Sequence, residues 1–170
     1  MTNSPPHISV LTIHHLDQVL AINNANVPAV SELTADEFEF DLEHCLHAPM
    51  ITDDSGNELR AFCVTFAPGA PYQSSNYQWF SERYKNFVYL DRIAVASQYQ
   101  NMGYGAALYG VVEQMMMKDR VASLLTCEVN LQPANPGSLR FHHRLGFTEV
   151  GQHESKPEFI VSMLAKDLKK

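Results

Sequence analysis

The residues whose spacing most clearly suggests chemistry are Gln100-Asn101-Met102-Gly103-Tyr104-Gly105. Two glycines stand at a spacing of two, where an extended apolar run gives way to an amphipathic one. The start of a helix offers N–H groups without intrahelical acceptors and a partial positive charge. Glycine lets an anionic group approach those N–H groups closely. The turn is therefore a candidate anion cradle. It lacks the Lys-Ser/Thr of a P-loop and the third glycine of a dinucleotide fingerprint. Other reactive side chains form weaker patterns. The adjacent pairs His14-His15 and His142-His143 project in different directions on a strand or a helix. His44 and His47 share a helix face, but no carboxylate or thiolate pattern accompanies them, and no metal site is expected. Cys127 reads as a buried strand cysteine without a partner base, not as a nucleophile.

The elements that must hold this turn follow from periodicity. Phe87 to Val95 is strand-like and runs into the turn. From Gly105 to Asp119 the residues Leu108, Val111, Val112, Met115 and Met116 recur at helical spacing, and the methionine run 115–117 reads as core filling. Upstream, Ile8 to Ile13 alternates as a strand, and Leu16 to about Val30 is helical until Pro28 breaks it. Thr34-Ala-Asp-Glu37 is a capping box that opens a helix reaching Leu46. Met50-Ile-Thr52 and Leu59 to Phe66 flank Asp53-Asp-Ser-Gly-Asn57 as a hairpin. The stretch Ala67 to Asn86 is a long polar-aromatic loop, and a loop of that length is functional or carries a short helix. Downstream come a strand from Ser123 to Val129, a short helix Ser138 to Leu145 capped by Asn135 with Pro136 in its first turn, and strands Phe147 to Val150 and Phe159 to Leu164. Gly146 suits the helix C′ position. The order β-α-α-β-β-β-α-β-α-β-β predicts a mixed sheet with helices on both faces.

Composition narrows the classes. A chain of 170 residues with 45% hydrophobic and 18% charged residues is an ordinary globular one. A formal net charge of -7 disfavours nucleic acid and anionic membrane as partners and is compatible with an amine substrate. No apolar run reaches the ~18 residues of a membrane span. Met1 to His7 has neither a basic nor an apolar region, so no signal peptide is read there, and a frayed start is expected. Three scattered cysteines, Cys45, Cys63 and Cys127, suit reduced thiols and a cytoplasmic location.

The second half of the chain resembles the GNAT superfamily of acetyl-CoA-dependent N-acetyltransferases, in an uncharacterised bacterial-type branch. Tyr89-Leu-Asp-Arg-Ile-Ala-Val95 resembles that family's fourth strand. Gln100-x-x-Gly103-x-Gly105 resembles its pyrophosphate loop. Asn135-Pro-Gly-Ser-Leu-Arg-Phe-His142, followed by Leu145-Gly-Phe147, resembles its Asn-x-x-(Ala/Ser)-x-x-x-(Tyr/His)-x-x-x-Gly-Phe segment. The motifs fall in the right order from Phe87 to Leu164, while the first half agrees only in element order. The resemblance implies an α/β (α+β) fold. It would be one domain over residues 1–170, with a mostly antiparallel sheet of about seven strands splayed between the fourth and fifth.

The resemblance also implies roles. Ile93, Ala94 and Val95 would offer main-chain groups to pantetheine, as an added strand does. Gln100, Asn101, Met102, Gly103, Tyr104 and Gly105 would hold the pyrophosphate, and Asn135 and Ser138 would contact the cofactor from the other side. Glu128 would be the base that takes a proton from the amine. Its rival is Asp91, which sits beside Arg92 and also reads as a structural ion pair. His142 stands where many relatives have tyrosine as acid for the CoA thiolate; it reads as that acid or as a packing or cofactor contact. Asn24, Tyr89 and Asp91 would meet the acceptor, a small-molecule amine, an amino acid or a peptide N-terminus. The expected cosubstrate is acetyl-CoA, with no metal, no nucleic acid and no membrane partner, on a monomer or homodimer. The alternative is an acyl-CoA sensor of the same fold without transferase activity.

Overall fold

A computed structural model describes residues 7–169; the expected frayed start over residues 1–6 lies outside the described residues. The strands are β1 (His7–Val10), β2 (Pro49–Thr52), β3 (Leu59–Phe66), β4 (Val88–Val95), β5 (Leu124–Gln132), β6 (Thr148–Lys156) and β7 (Phe159–Asp167). The helices are α1 (Leu16–Ala25), α2 (Ala35–His44), α3 (Ser75–Ser81), α4 (Tyr104–Asp119) and α5 (Pro136–Arg144), with single 3₁₀ turns at Ile13–His15 and Ser97–Tyr99. The strands form one seven-stranded sheet in the order β1-β2-β3-β4-β5-β7-β6. It is mostly antiparallel. The parallel pair is β4–β5, with Val88 opposite Leu125 and Tyr89 opposite Thr126. On its other edge β5 pairs with β7 over most of its length, Glu128 opposite Met163.

The chain gathers into two compact units. The first takes in the chain up to Val64 together with Arg92–Val112. Its core is apolar, with Val19, Phe38, Ile51 and Phe62 fully buried. It also buries a charge: Arg92 is 6% exposed and Asp41 2%. Arg92 Nε lies 3.6 Å from Asp41 Oδ2, and its Nη1 donates to Asn23 Oδ1 at 3.1 Å. Arg92, read from sequence as a candidate ion-pair partner of its neighbour Asp91, pairs with Asp41; successive strand residues point to opposite faces. The capping box behaves as read: Thr34 Oγ1 accepts from Glu37 N at 3.3 Å, and Thr34 N donates to Glu37 Oε2 at 2.9 Å.

The second unit comprises Thr65–Asp91 and the chain from Glu113 onward. Phe66, Phe80, Phe87, Tyr89 and Leu125 are fully buried there. The long stretch 67–86, read as functional or as carrying a short helix, holds α3. Ser74 caps it by accepting from Tyr77 N at 3.4 Å, and the Tyr77 hydroxyl donates to Ala67 O at 2.8 Å while accepting from Ala70 N at 2.9 Å. The helix docks on β6 through Trp79. A Cβ built on Gly151 would stand 2.6 Å from Trp79 Cζ2, so the bare glycine backbone is the surface on which the indole lies. The Arg83 guanidinium covers the indole, 3.9 Å from its centroid.

Other boundaries moved for physical reasons. β1 ends at Val10 and α1 ends at Ala25, with Asn26 as its C-cap, earlier than the apolar spacing suggested. β6 runs on to Lys156 through a polar, largely exposed sequence that carries no apolar alternation; its ladder to β7 holds it instead. Of the methionine run only Met116 is fully buried, whereas Met117 is 60% exposed. All three cysteines are free thiols. Among the described residues, no helix is long and apolar enough to cross a membrane, and no cluster of His, Cys, Asp and Glu could hold a metal.

Candidate active site

The residues read as site residues fall into two groups, one in each unit. In the first, β4 delivers the chain through a 3₁₀ turn to the glycines. Asn101 has φ 62° and Gly103 φ 86°, both left-handed, which reverses the chain just before α4. Gly103 is exposed, and a Cβ placed on it meets nothing within 4 Å. The glycine is there for its backbone and the space in front of it, not for packing. Its carbonyl accepts the first bond of α4 from Ala107 N at 3.0 Å. The N–H groups of Tyr104, Gly105 and Ala106 therefore precede the helical ladder, as an anion site requires.

Side chains brace this loop from both ends. Asn26 Nδ2 donates to Val95 O at 3.2 Å and to Ile22 O at 2.8 Å, and Gln100 Nε2 donates to Asn26 Oδ1 at 3.2 Å and, more loosely, to Val95 O at 3.5 Å. At the other end Arg60 Nη1 donates to the Tyr104 hydroxyl at 3.1 Å, and its guanidinium lies over the Tyr99 ring at 4.8 Å. The Tyr99 hydroxyl donates to Glu58, 2.8 Å from Oε2. Arg60 was not singled out in the sequence, and nothing in the spacing of Asn26 from the loop reveals that it braces it. Asn24 is exposed, and both ends of its amide are engaged: Oδ1 accepts from Leu33 N at 2.9 Å and Nδ2 donates to Leu33 O at 3.0 Å.

In the second unit, Glu128 is half-buried on β5. Its Oε1 accepts from the Tyr89 hydroxyl and from Asn76 Nδ2, each at 3.0 Å. Tyr89 is fully buried. Burial, then the negative charges of Glu128 and Asp91, push its phenol well above the usual range, although a bond from the Ser74 hydroxyl pulls the other way. Tyr89 is therefore a permanent donor to Glu128. Asp91 accepts from the Tyr72 hydroxyl at 2.7 Å, and Tyr72 stacks on Phe66 with centroids 4.0 Å apart. The Tyr72 ring beside Asp91 lies 6.4 Å from the Tyr89 ring, and Glu128 and Tyr89 share one hydrogen-bonded network. Asn76, which completes it, lay in the unassigned loop.

The segment 135–142 supplies the cap and most of α5. Asn135 caps it, its Oδ1 accepting from Ser138 N at 3.1 Å. His142 is 4% exposed. Its Nδ1 donates to Ser138 O at 2.8 Å and lies 3.3 Å from Ser138 Oγ. Phe141 and Phe147 meet its ring edge to face at 5.2 Å and 5.6 Å. Burial lowers its pKa, the Ser138 carbonyl opposes that, and His143 adds a smaller lowering. At neutral pH the ring is neutral, and its proton sits on Nδ1.

A sequence model of the acetyltransferase (GNAT) family matches residues 18–147. The chain belongs to that family. No curated protein matches it at the level of sequence. Solved structures give the fold of this GNAT protein many likenesses. The ribosomal-protein-S18-alanine N-acetyltransferase of Escherichia coli is 19% identical, with TM-score 0.70, over 96% of this chain and 94% of that one. Arabidopsis thaliana NAA60 in complex with a bisubstrate analogue is 15% identical, with TM-score 0.75, over 96% and 98%. A putative phosphinothricin N-acetyltransferase is 17% identical, with TM-score 0.72, over 98% and 100%. The GNAT chain is accordingly an acetyltransferase whose relatives include enzymes named for protein and for small-molecule acceptors.

Proposed function

We propose that the chain works as one domain that transfers the acetyl group of acetyl-CoA to a primary amine, by direct attack while both are bound. The observation that carries the reading is the open, left-handed Gly103 at the start of α4: the loop has room for an anion and unpaired N–H groups to meet it. Residues Gln100 to Gly105 would hold the pyrophosphate. Main-chain groups of Ile93, Ala94 and Val95 would take the pantetheine amides; if the Val95 carbonyl is used, the looser Gln100 bond at 3.5 Å is the one to yield. Asn135 and Ser138 would contact the same arm, and Asn24 and Asp91 the acceptor, a small polar amine or a peptide end.

Bound acetyl-CoA supplies an electrophilic thioester carbonyl. The remaining chemistry belongs to side chains. A lysine-like amine, with pKa ~10.4, arrives charged and must lose a proton before it attacks. Glu128 takes that proton. Tyr89, held as a phenol, keeps one carboxylate oxygen bonded and the group oriented. His142 plays a smaller part than the resemblance implied. A neutral imidazole that gives its Nδ1 proton to Ser138 has none on Nε2 to donate, so at neutral pH it orients α5 and does not act as an acid. A thiol of pKa ~8.5 leaves without help.

The test is release of free CoA thiol from acetyl-CoA against a panel of amines, amino acids and peptides. The reading expects release with at least one class of primary amine. Tight acetyl-CoA binding with no release across the panel would favour an acyl-CoA-sensing protein.

A further inference from the structure

The group that sets Glu128 in place comes from α3, the helix hidden in the long 67–86 stretch. Asn76 Nδ2 and the Tyr89 hydroxyl both bond to the same oxygen, Oε1, at 3.0 Å. Two donors from different elements on one carboxylate oxygen hold the carboxylate of the glutamate in one orientation. Asn76 is poorly satisfied in return: its Oδ1 is buried without a hydrogen-bond partner. A buried, unmatched amide oxygen costs free energy, and the arrangement that orients Nδ2 toward Glu128 carries that cost. The helix is itself held against β6 by Trp79 on Gly151 and by Ser75 Oγ donating to Ser155 O at 3.4 Å. One short helix thus ties β6 to the carboxylate.

We infer that Asn76 is a positioning residue for Glu128, and that α3 is the element through which this chain aligns its base. The inference rests on the reading of Glu128 as base. Losing a positioning donor lets the carboxylate rotate, which lowers kcat and leaves binding of the cosubstrate alone.

The experiment is a double-mutant cycle with Asn76→Ala and Glu128→Gln, read as kcat and as KM for acetyl-CoA. Asn76→Ala should lower kcat about 10-fold, the effect of one charge-assisted hydrogen bond, with KM for acetyl-CoA unchanged. In the Glu128→Gln background the same change should cost less than 2-fold, because there is no carboxylate left to orient. Asn76→Gln, which keeps the donor, should recover part of the loss, and Asn76→Asp, which replaces it with a charge of like sign, should lose more than alanine does. Equal losses in both backgrounds would mean that Asn76 only supports the fold and would overturn the inference, as would a wild-type kcat for Asn76→Ala. Near-normal turnover by Glu128→Gln alone would instead remove the base reading on which the inference stands. Melting temperatures of all variants within a few degrees of the parent keep these outcomes distinct from unfolding.

Discussion

Single residues here take their roles from burial as much as from type. His142 occupies a motif position that suggests an acid, yet its surroundings make it neutral. Its folded pKa lies below the unfolded value of ~6.5, lowered chiefly by burial. The unfolded chain then binds more protons than the folded one as pH falls through that value, so His142 costs the fold stability on the acid side and nothing above it. The melting temperature should therefore fall between pH 7.5 and pH 5, and His142→Asn should flatten that slope; equal slopes would mean that the histidine is not held neutral. By the same logic His142→Phe should keep kcat within about 3-fold at pH 8, well above the ordinary histidine pKa, and a 100-fold loss there would restore the acid role. Arg92 makes the opposite case. It is a charge that the core accepts only with Asp41 and Asn23 around it. Asp41→Ala should cost about 3–5 kcal/mol, the penalty for leaving one member of a buried pair behind, measured by urea unfolding. A loss below about 1 kcal/mol would show that the pair is dispensable.

Elements show where the sequence could be read and where it could not. The hairpin strand β3, the capping box of α2 and the strand–turn–helix around Gly103 were legible, because apolar period, cap chemistry and glycine spacing all agreed. The position of helix α3 was not, although a short helix in 67–86 was one of the two readings of that stretch. Its seven residues are too few for a periodic signal, and its stability comes from tertiary anchors: the Trp79 indole, the Tyr77 hydroxyl and the Ser74 cap. β6 was cut short for a related reason, since a polar strand held by one neighbour leaves no apolar alternation to read. The candidate site follows the same rule. Glu128 and the glycine loop are proposals read from motifs, whereas the contacts of Asn76 to Glu128, of Asn26 to Val95 and of Arg60 to Tyr104 span long sequence separations that no local pattern records. The α3 anchor makes its own prediction. Gly151→Ala would push a Cβ to 2.6 Å from the indole, so it should cost about 1–3 kcal/mol and lower kcat by shifting Asn76. Trp79→Ala in the same chain should remove most of the penalty specific to Gly151→Ala. An unchanged melting temperature for Gly151→Ala would mean that the indole does not rest there.

At the scale of the whole molecule, the first unit carries the proposed anion cradle and the second the proposed base, a carboxylate bonded by tyrosine and asparagine. The net charge of -7 fits an enzyme whose acceptor is a cation in solution. The acceptor itself was not legible, because acceptor groups are set by side chains on loops and short helices and not by the motifs that mark the family. What every part of the account requires is that acetyl-CoA be held at the start of α4. Calorimetric titration of acetyl-CoA into the parent and into Gly103→Glu tests this most directly. The open space at Gly103 leaves packing intact, and the left-handed φ should cost only about 1–2 kcal/mol, so the variant should remain folded. It places a negative side chain where the pyrophosphate would lie. Saturable binding by the parent and none measurable by the folded variant is the expected result; equal affinity for the two would show that this turn is not the cradle.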